Sequence, residues 1–197
     1  MRDDRGRPKP AGKRPRKASA KALENAALYY LKRYSSTVQQ LKQVLTRKVD
    51  RSVRLYGTDR AEALGWIEGV VEKLVRLGLV SDASYAQTKA RSLRASGRSA
   101  RAISQRLRMK GVSAELVTQK LFEATQEVSE EDAARIWARK KRLGPYCRDA
   151  TKRQERRLKD LGSLARAGFS FATAKKLVDE RTGAHFGQKF VRAPIPW

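Results

Sequence analysis

Arg98, Arg101, Arg106, Arg108 and Lys110 fall within the seventeen residues of "GRSARAISQRLRMKGVS", positions 97–113, and no acid accompanies them. Guanidinium and ammonium groups at this density suit one kind of chemistry, the neutralisation of phosphates and other anions. Arg91 and Arg94 extend the run, so that residues 83–114 hold eight Lys or Arg and no Asp or Glu. Glu–Lys pairs within one helix are therefore unavailable, and the charge must be met by water, counterions or a partner. A second block, residues 133–159, carries eleven Lys or Arg against Asp149 and Glu155, and contains Arg139, Lys140, Lys141 and Arg142. Tyr146 follows that quartet, and a basic patch with an aromatic ring suits single-stranded nucleic acid. Trp137 is expected in the core instead. The seven basic residues from Arg91 to Lys110 and the quartet 139–142 are the expected partner- or DNA-binding residues.

Residues for other chemistries are sparse. Cys147 is the only cysteine, which excludes an intrachain disulfide and CxxC metal sites. His185 is the only histidine. A Cys147–His185 dyad would join two unrelated loop-like segments, a poor basis for nucleophilic catalysis. No Gly-rich phosphate loop, metal cluster or carboxylate pair in an apolar pocket stands out. The expectation is a binding protein without catalytic residues, cofactor or metal.

The whole chain repeats the charge imbalance. Its 197 residues include 45 Lys or Arg against 20 Asp or Glu, a formal net charge of +25. Solubility needs far less, and an excess of this size attracts polyanions, so nucleic acid or a complex containing it is the expected partner class. No apolar run reaches the roughly 18–20 residues of a membrane span, and no apolar segment follows the basic N-terminus as in a secretory signal. A cytoplasmic monomer with no membrane contact is expected.

The elements that must position these charges read as helices. Residues 1–18 hold eight basic residues, two acids and three prolines without apolar period, which predicts a disordered basic arm. Ser19 reads as an N-cap, and amphipathic segments follow to about residue 181. The strongest has Trp66, Ile67, Val70, Val71, Leu74 and Leu77 on one stripe. Others carry Ile103 and Leu107, or Leu158, Leu161 and Leu164. "GPYCRD", 144–149, reads as a turn, and 182–197 as a loose tail. Nine helices result, and they repeat. Leu41, Leu45 and Lys48 return as Ile103, Leu107 and Lys110, and "LRMKGVS" at 107–113 matches "LARAGFS" at 164–170. The fold class is therefore all-α, with three tandem three-helix modules at 19–79, 80–127 and 128–181. Each is too small to bury its own apolar faces well, so they should stack as a short curved solenoid-like array.

Residues 78–113, "GLVSDASYAQTKARSLRASGRSARAISQRLRMKGVS", resemble the central signature of the RecX family. The matching positions are Gly78, Leu79, Asp82, Tyr85, Ala86, Gly97, Ile103, Leu107, Lys110, Gly111 and Val112, without a gap. Ser81, Lys89 and Arg106 depart from that pattern, each toward positive charge. The resemblance spans roughly residues 20–180 and implies the same nine-helix, three-module layout. It also implies a regulatory protein of bacterial DNA repair and the SOS response. Such a protein would bind the filament of the RecA recombinase on single-stranded DNA and limit its growth or activity, with no catalytic site, metal or cofactor.

Spacing places Ala100, Ile103, Ser104 and Leu107 on the inward side of their helix. Arg101 and Arg108 flank that side on one edge, Arg106 and Lys110 on the other. The alternative reading is a basic helical protein of nucleoid or RNA-assembly type that binds nucleic acid directly, with no recombinase.

Overall fold

The computed structural model describes residues 16–180. The tail with His185, expected to be loose, and the expected basic arm as far as residue 15 lie outside the described residues. Every regular element among the described residues is helical, as the sequence predicts. The described residues divide into two compact units, one up to Tyr85 and one from Ala86.

In the first unit lie α1 (Ala20–Leu31), α2 (Val38–Tyr56) and α3 (Arg60–Arg76). They pack on one another around Leu23, Leu41, Leu45, Val49, Ile67 and Leu74. Ala18, read from sequence as part of the arm, belongs to this core, and its N–H donates to Ser52 Oγ at 2.8 Å. α4 (Asp82–Ala95) runs across the boundary between the units. The second unit continues with α5 (Ala100–Arg108), α6 (Ala114–Glu127) and α7 (Glu130–Lys141). A 3-10 turn (Gly144–Tyr146), α8 (Arg153–Arg166) and α9 (Phe171–Val178) complete it. Its main core gathers Ala134, Ala138, Leu143, Leu161, Leu164, Phe169 and Leu177.

Helix starts follow the side-chain chemistry closely. Ser19, Thr37, Asp59, Ser99, Ser113, Ser129 and Ser170 each accept a backbone N–H of the first turn. Each such cap satisfies a donor that the helix cannot, and contributes about 1 kcal/mol. Three corners share one sequence, Gly–x–Ser, at 97–99, 111–113 and 168–170. In each, the glycine and the next residue donate back into the preceding helix, and the serine opens the following one.

Two expected core positions are corrected. Leu158 is 77% exposed, because the inward side of α8 is completed by Asp160, Leu161 and Leu164 instead. Leu77 is exposed because it follows the last turn of α3 as its C-cap. Asp160, which carried no signal in the apolar pattern, is only 1% exposed. Its Oδ2 accepts the Gly144 N–H at 2.8 Å and so fastens the 3-10 turn to α8.

On α5 the inside–outside assignment is as predicted. Leu107 is 0% exposed and Arg108 points to solvent. Leu107→Ala is expected to cost about 2–5 kcal/mol, the loss of a buried leucine and the cavity left behind. Arg108→Ala should stay within about 0.5 kcal/mol. Thermal melts that ranked the pair the other way would overturn the assignment.

Candidate partner-binding surface

The expected basic residues all lie in the second unit, and the helices sort them into three fates. The first is burial. Arg94 was expected on the exposed basic face, and the structure corrects this: it is 0% exposed, the largest fully buried side chain of the described residues. Ala86, Ala90 and Arg94 recur every four residues along α4, so Arg94 shares the side that carries the two buried alanines. Its Nε donates to Val128 O at 2.7 Å and its Nη1 to Arg98 O at 3.2 Å. Nη1 also meets the Glu130 carboxylate. That carboxylate in turn accepts the Ala100 N–H at the start of α5, at 3.2 Å. One guanidinium thus ties the α4–α5 corner, the end of α6 and the start of α7.

The second fate is pairing. Arg91 Nη2 lies 2.6 Å from Glu127. The acids absent from 83–114 are therefore supplied by α6 and α7, which a count along one helix does not reveal. Arg98 lies over the Trp137 ring at 4.7 Å, and Lys141 Nζ is 5.6 Å from the same ring. Lys140 Nζ donates to Ser96 O at 2.8 Å, and Arg139 lies 5.4 Å from the Tyr146 ring. The two basic runs, separate in sequence, thus meet at Trp137. This requires close approach of the α4–α5 corner to α7. A Cβ on Gly97 would come within 2.8 Å of both Ile136 Cγ2 and Trp137 N. Trp137 is half-buried, a floor beneath two cations as much as a core residue.

Much of the rest of the block 133–159 is satisfied internally. Arg157 grips Asp179 with two bonds of 2.7 and 2.8 Å. That grip holds the Asp179 carboxyl below the usual aspartate range. Arg135 reaches Glu180 at 3.0 Å, and this bond raises its already high pKa.

The third fate is exposure. Arg101, Arg106 and Arg108 stand out from α5 with no ion pair among the described residues. Lys110 is half-buried at the corner that follows. Arg142 is exposed at the end of α7 with φ 57° and ψ 48°. It is the one described non-glycine residue with positive φ. An uncompensated cationic strip on α5 can hold a polyanion through several phosphate contacts at once.

The comparisons bear on what this surface serves. A family model described as "RecX, second three-helix domain" matches residues 81–121, which take in α4, α5 and the first part of α6. The chain is 63% identical over 167 residues to the regulatory protein RecX of Myxococcus xanthus (strain DK1622), covering 85% of this chain and 89% of that protein. The chain belongs to the RecX family. The resemblance read from residues 78–113 is borne out. Regulatory protein RecX of Agrobacterium fabrum is 35% identical over 154 residues, 78% of this chain and 80% of its own length. That of Amycolatopsis mediterranei is 36% identical over 145 residues, 73% and 74% of the two chains. No solved structure matches the chain. The RecX match at 81–121 contains Arg94 and the exposed α5 strip together, whereas Arg94's partners Val128 and Glu130 and the quartet 139–142 lie beyond it. Among the described residues, no helix is long and apolar enough to cross a membrane.

Proposed function

We propose that this RecX-family chain binds the RecA recombinase filament on single-stranded DNA and inhibits it, as a monomeric, non-enzymatic regulator in the cytoplasm. The observation that carries the reading is the 63% identity to a regulatory RecX over 89% of that protein's length. The unpaired Arg101, Arg106 and Arg108 on α5 are its contact to the polyanionic filament. Arg91, Arg98, Lys110 and the quartet 139–142 extend that contact. Arg94 acts beneath it, by holding the α4–α5 corner in place. The three-module grouping at 19–79, 80–127 and 128–181 belongs to the same reading. It is supported by the separate cores of α1–α3 and α7–α9 and by the matched three-helix domain at 81–121.

The test is the recombinase's DNA-dependent ATPase with this protein titrated in, beside filament affinity at several salt concentrations. ATPase should fall as the protein is added. Replacing Arg101, Arg106 and Arg108 by Ala together should weaken filament binding several-fold with an unchanged melting curve. If the three meet phosphate, the salt dependence should flatten as well, by about 0.7 in the log–log slope for each phosphate no longer neutralised. An ATPase indifferent to the protein, with capture by single-stranded DNA alone, would replace this reading with direct nucleic-acid binding.

A further inference from the structure

Outside the α5 surface, the last turn of α1 and the three residues after it read "LYYLKRY", three tyrosines and two cations in seven residues. Tyr29 is 60% exposed and Tyr34 is 57% exposed. Neither ring contributes to the core of the first unit, whereas Tyr30 between them is packed against it. Tyr34 leans on Tyr30, with centroids 5.2 Å apart and planes tilted by 39°. Arg33 lies over the Tyr29 ring, its Cζ 4.7 Å from the centroid. Two exposed rings are therefore propped, one by an anchored tyrosine and one by a guanidinium, instead of hanging free.

The surrounding charge is one-sided. Residues 25–49 hold Lys32, Arg33, Lys42, Arg47 and Lys48 and no acid, and of these Lys42 is paired with Glu68 on α3. The preceding acid, Glu24, is engaged by Lys73 at 2.6 Å. Lys32 and Arg33 both face solvent. Propped rings beside unopposed cations satisfy both requirements of single-stranded nucleic acid, π-faces for unpaired bases and positive charge for the backbone. Duplex DNA keeps its bases stacked inside and would gain only the charge.

We propose that Tyr29, Arg33 and Tyr34 form a stacking site for single-stranded DNA. The rings receive two unpaired bases, and Arg33 and Lys32 meet the flanking phosphates. The inference rests on the filament reading only for the choice of DNA over RNA. Its test uses free DNA without recombinase, so the two can fail separately. Full-length protein is titrated against fluorescently labelled oligo(dT) and against a labelled duplex, by anisotropy. Tyr29→Ala with Tyr34→Ala should weaken oligo(dT) binding by at least about tenfold, since one lost stack is worth roughly 5- to 150-fold. Duplex binding should change little. Tyr29→Phe with Tyr34→Phe should bind like the parent, because stacking needs the ring and not the hydroxyl. Arg33→Gln should weaken binding and flatten its salt dependence. Unchanged oligo(dT) affinity in the alanine variant would overturn the site, as would an equal loss on duplex. Loss confined to the recombinase filament, with free oligo(dT) unaffected, would assign the patch to protein and also overturn it.

Discussion

Arg94→Ala is expected to destabilise the second unit by about 3–5 kcal/mol, read as a shift of the urea midpoint at unchanged slope. The cost is that of removing a fully buried guanidinium with its hydrogen bonds and volume, the Glu130 carboxylate left behind being 32% exposed. Val128 O and Arg98 O lose their donors, the Glu130 carboxylate loses its cation, and a cavity opens where the largest buried side chain stood. Arg94→Met fills most of that volume but restores none of the hydrogen bonds, so it should recover only part of the loss. Arg101→Ala, on the same acid-free run but at the surface, should change stability by no more than about 0.5 kcal/mol. Equal effects of Arg94→Ala and Arg101→Ala would refute the buried node.

Gly97→Ala should cost about 2–5 kcal/mol. Its φ of +86° is left-handed, which a Cβ penalises by about 1–2 kcal/mol. The same Cβ would stand 2.8 Å from Trp137 N and 3.0 Å from Ala133 O, both backbone atoms that cannot step aside. Overpacking of this kind adds roughly 1–3 kcal/mol. Gly57 separates the two contributions, because it has φ +59° and its Cβ would meet nothing within 4 Å. Gly57→Ala should therefore show the backbone cost alone, and the difference in thermal melts measures the approach of the α4–α5 corner to α7.

What the sequence made legible follows from the range of each signal. Serine caps and the apolar stripe of α3 act within a turn or two, and both were readable from spacing. So was the inward side of α5, where Ile103 and Leu107 are fully buried. Arg94 was legible too, in the four-residue rhythm Ala86–Ala90–Arg94, but its charge placed it in a basic run and masked the rhythm. Glu130 looks like an ordinary first-turn acid favoured by the helix dipole. Its second partner, Arg94, lies on another helix, and periodicity carries no information across helices. The same reason hid the pairing of Arg91 with Glu127 and the engagement of Trp137 by Arg98 and Lys141. Asp160 interrupts an apolar side, and only the 3-10 turn that it anchors explains its place. Arg142 in the left-handed region has no sequence signal, since the other described positive-φ positions are glycines.

The three Gly–x–Ser corners bear on how the chain reaches this structure. Each is closed by bonds to residues a few positions back, so a helix pair can bend into place as soon as its own residues are available. Folds made of such local contacts cross their barriers in roughly microseconds to milliseconds. The Arg94–Glu130 pair belongs to a different stage, because its partners are 36 residues apart and two further helices must form between them. Arg94→Ala is therefore expected to leave the folding rate almost unchanged and to raise the unfolding rate, read from the two arms of a chevron plot. On that outcome the buried guanidinium is a latch that sets how long the assembled unit stays closed, while the corners set how quickly it closes.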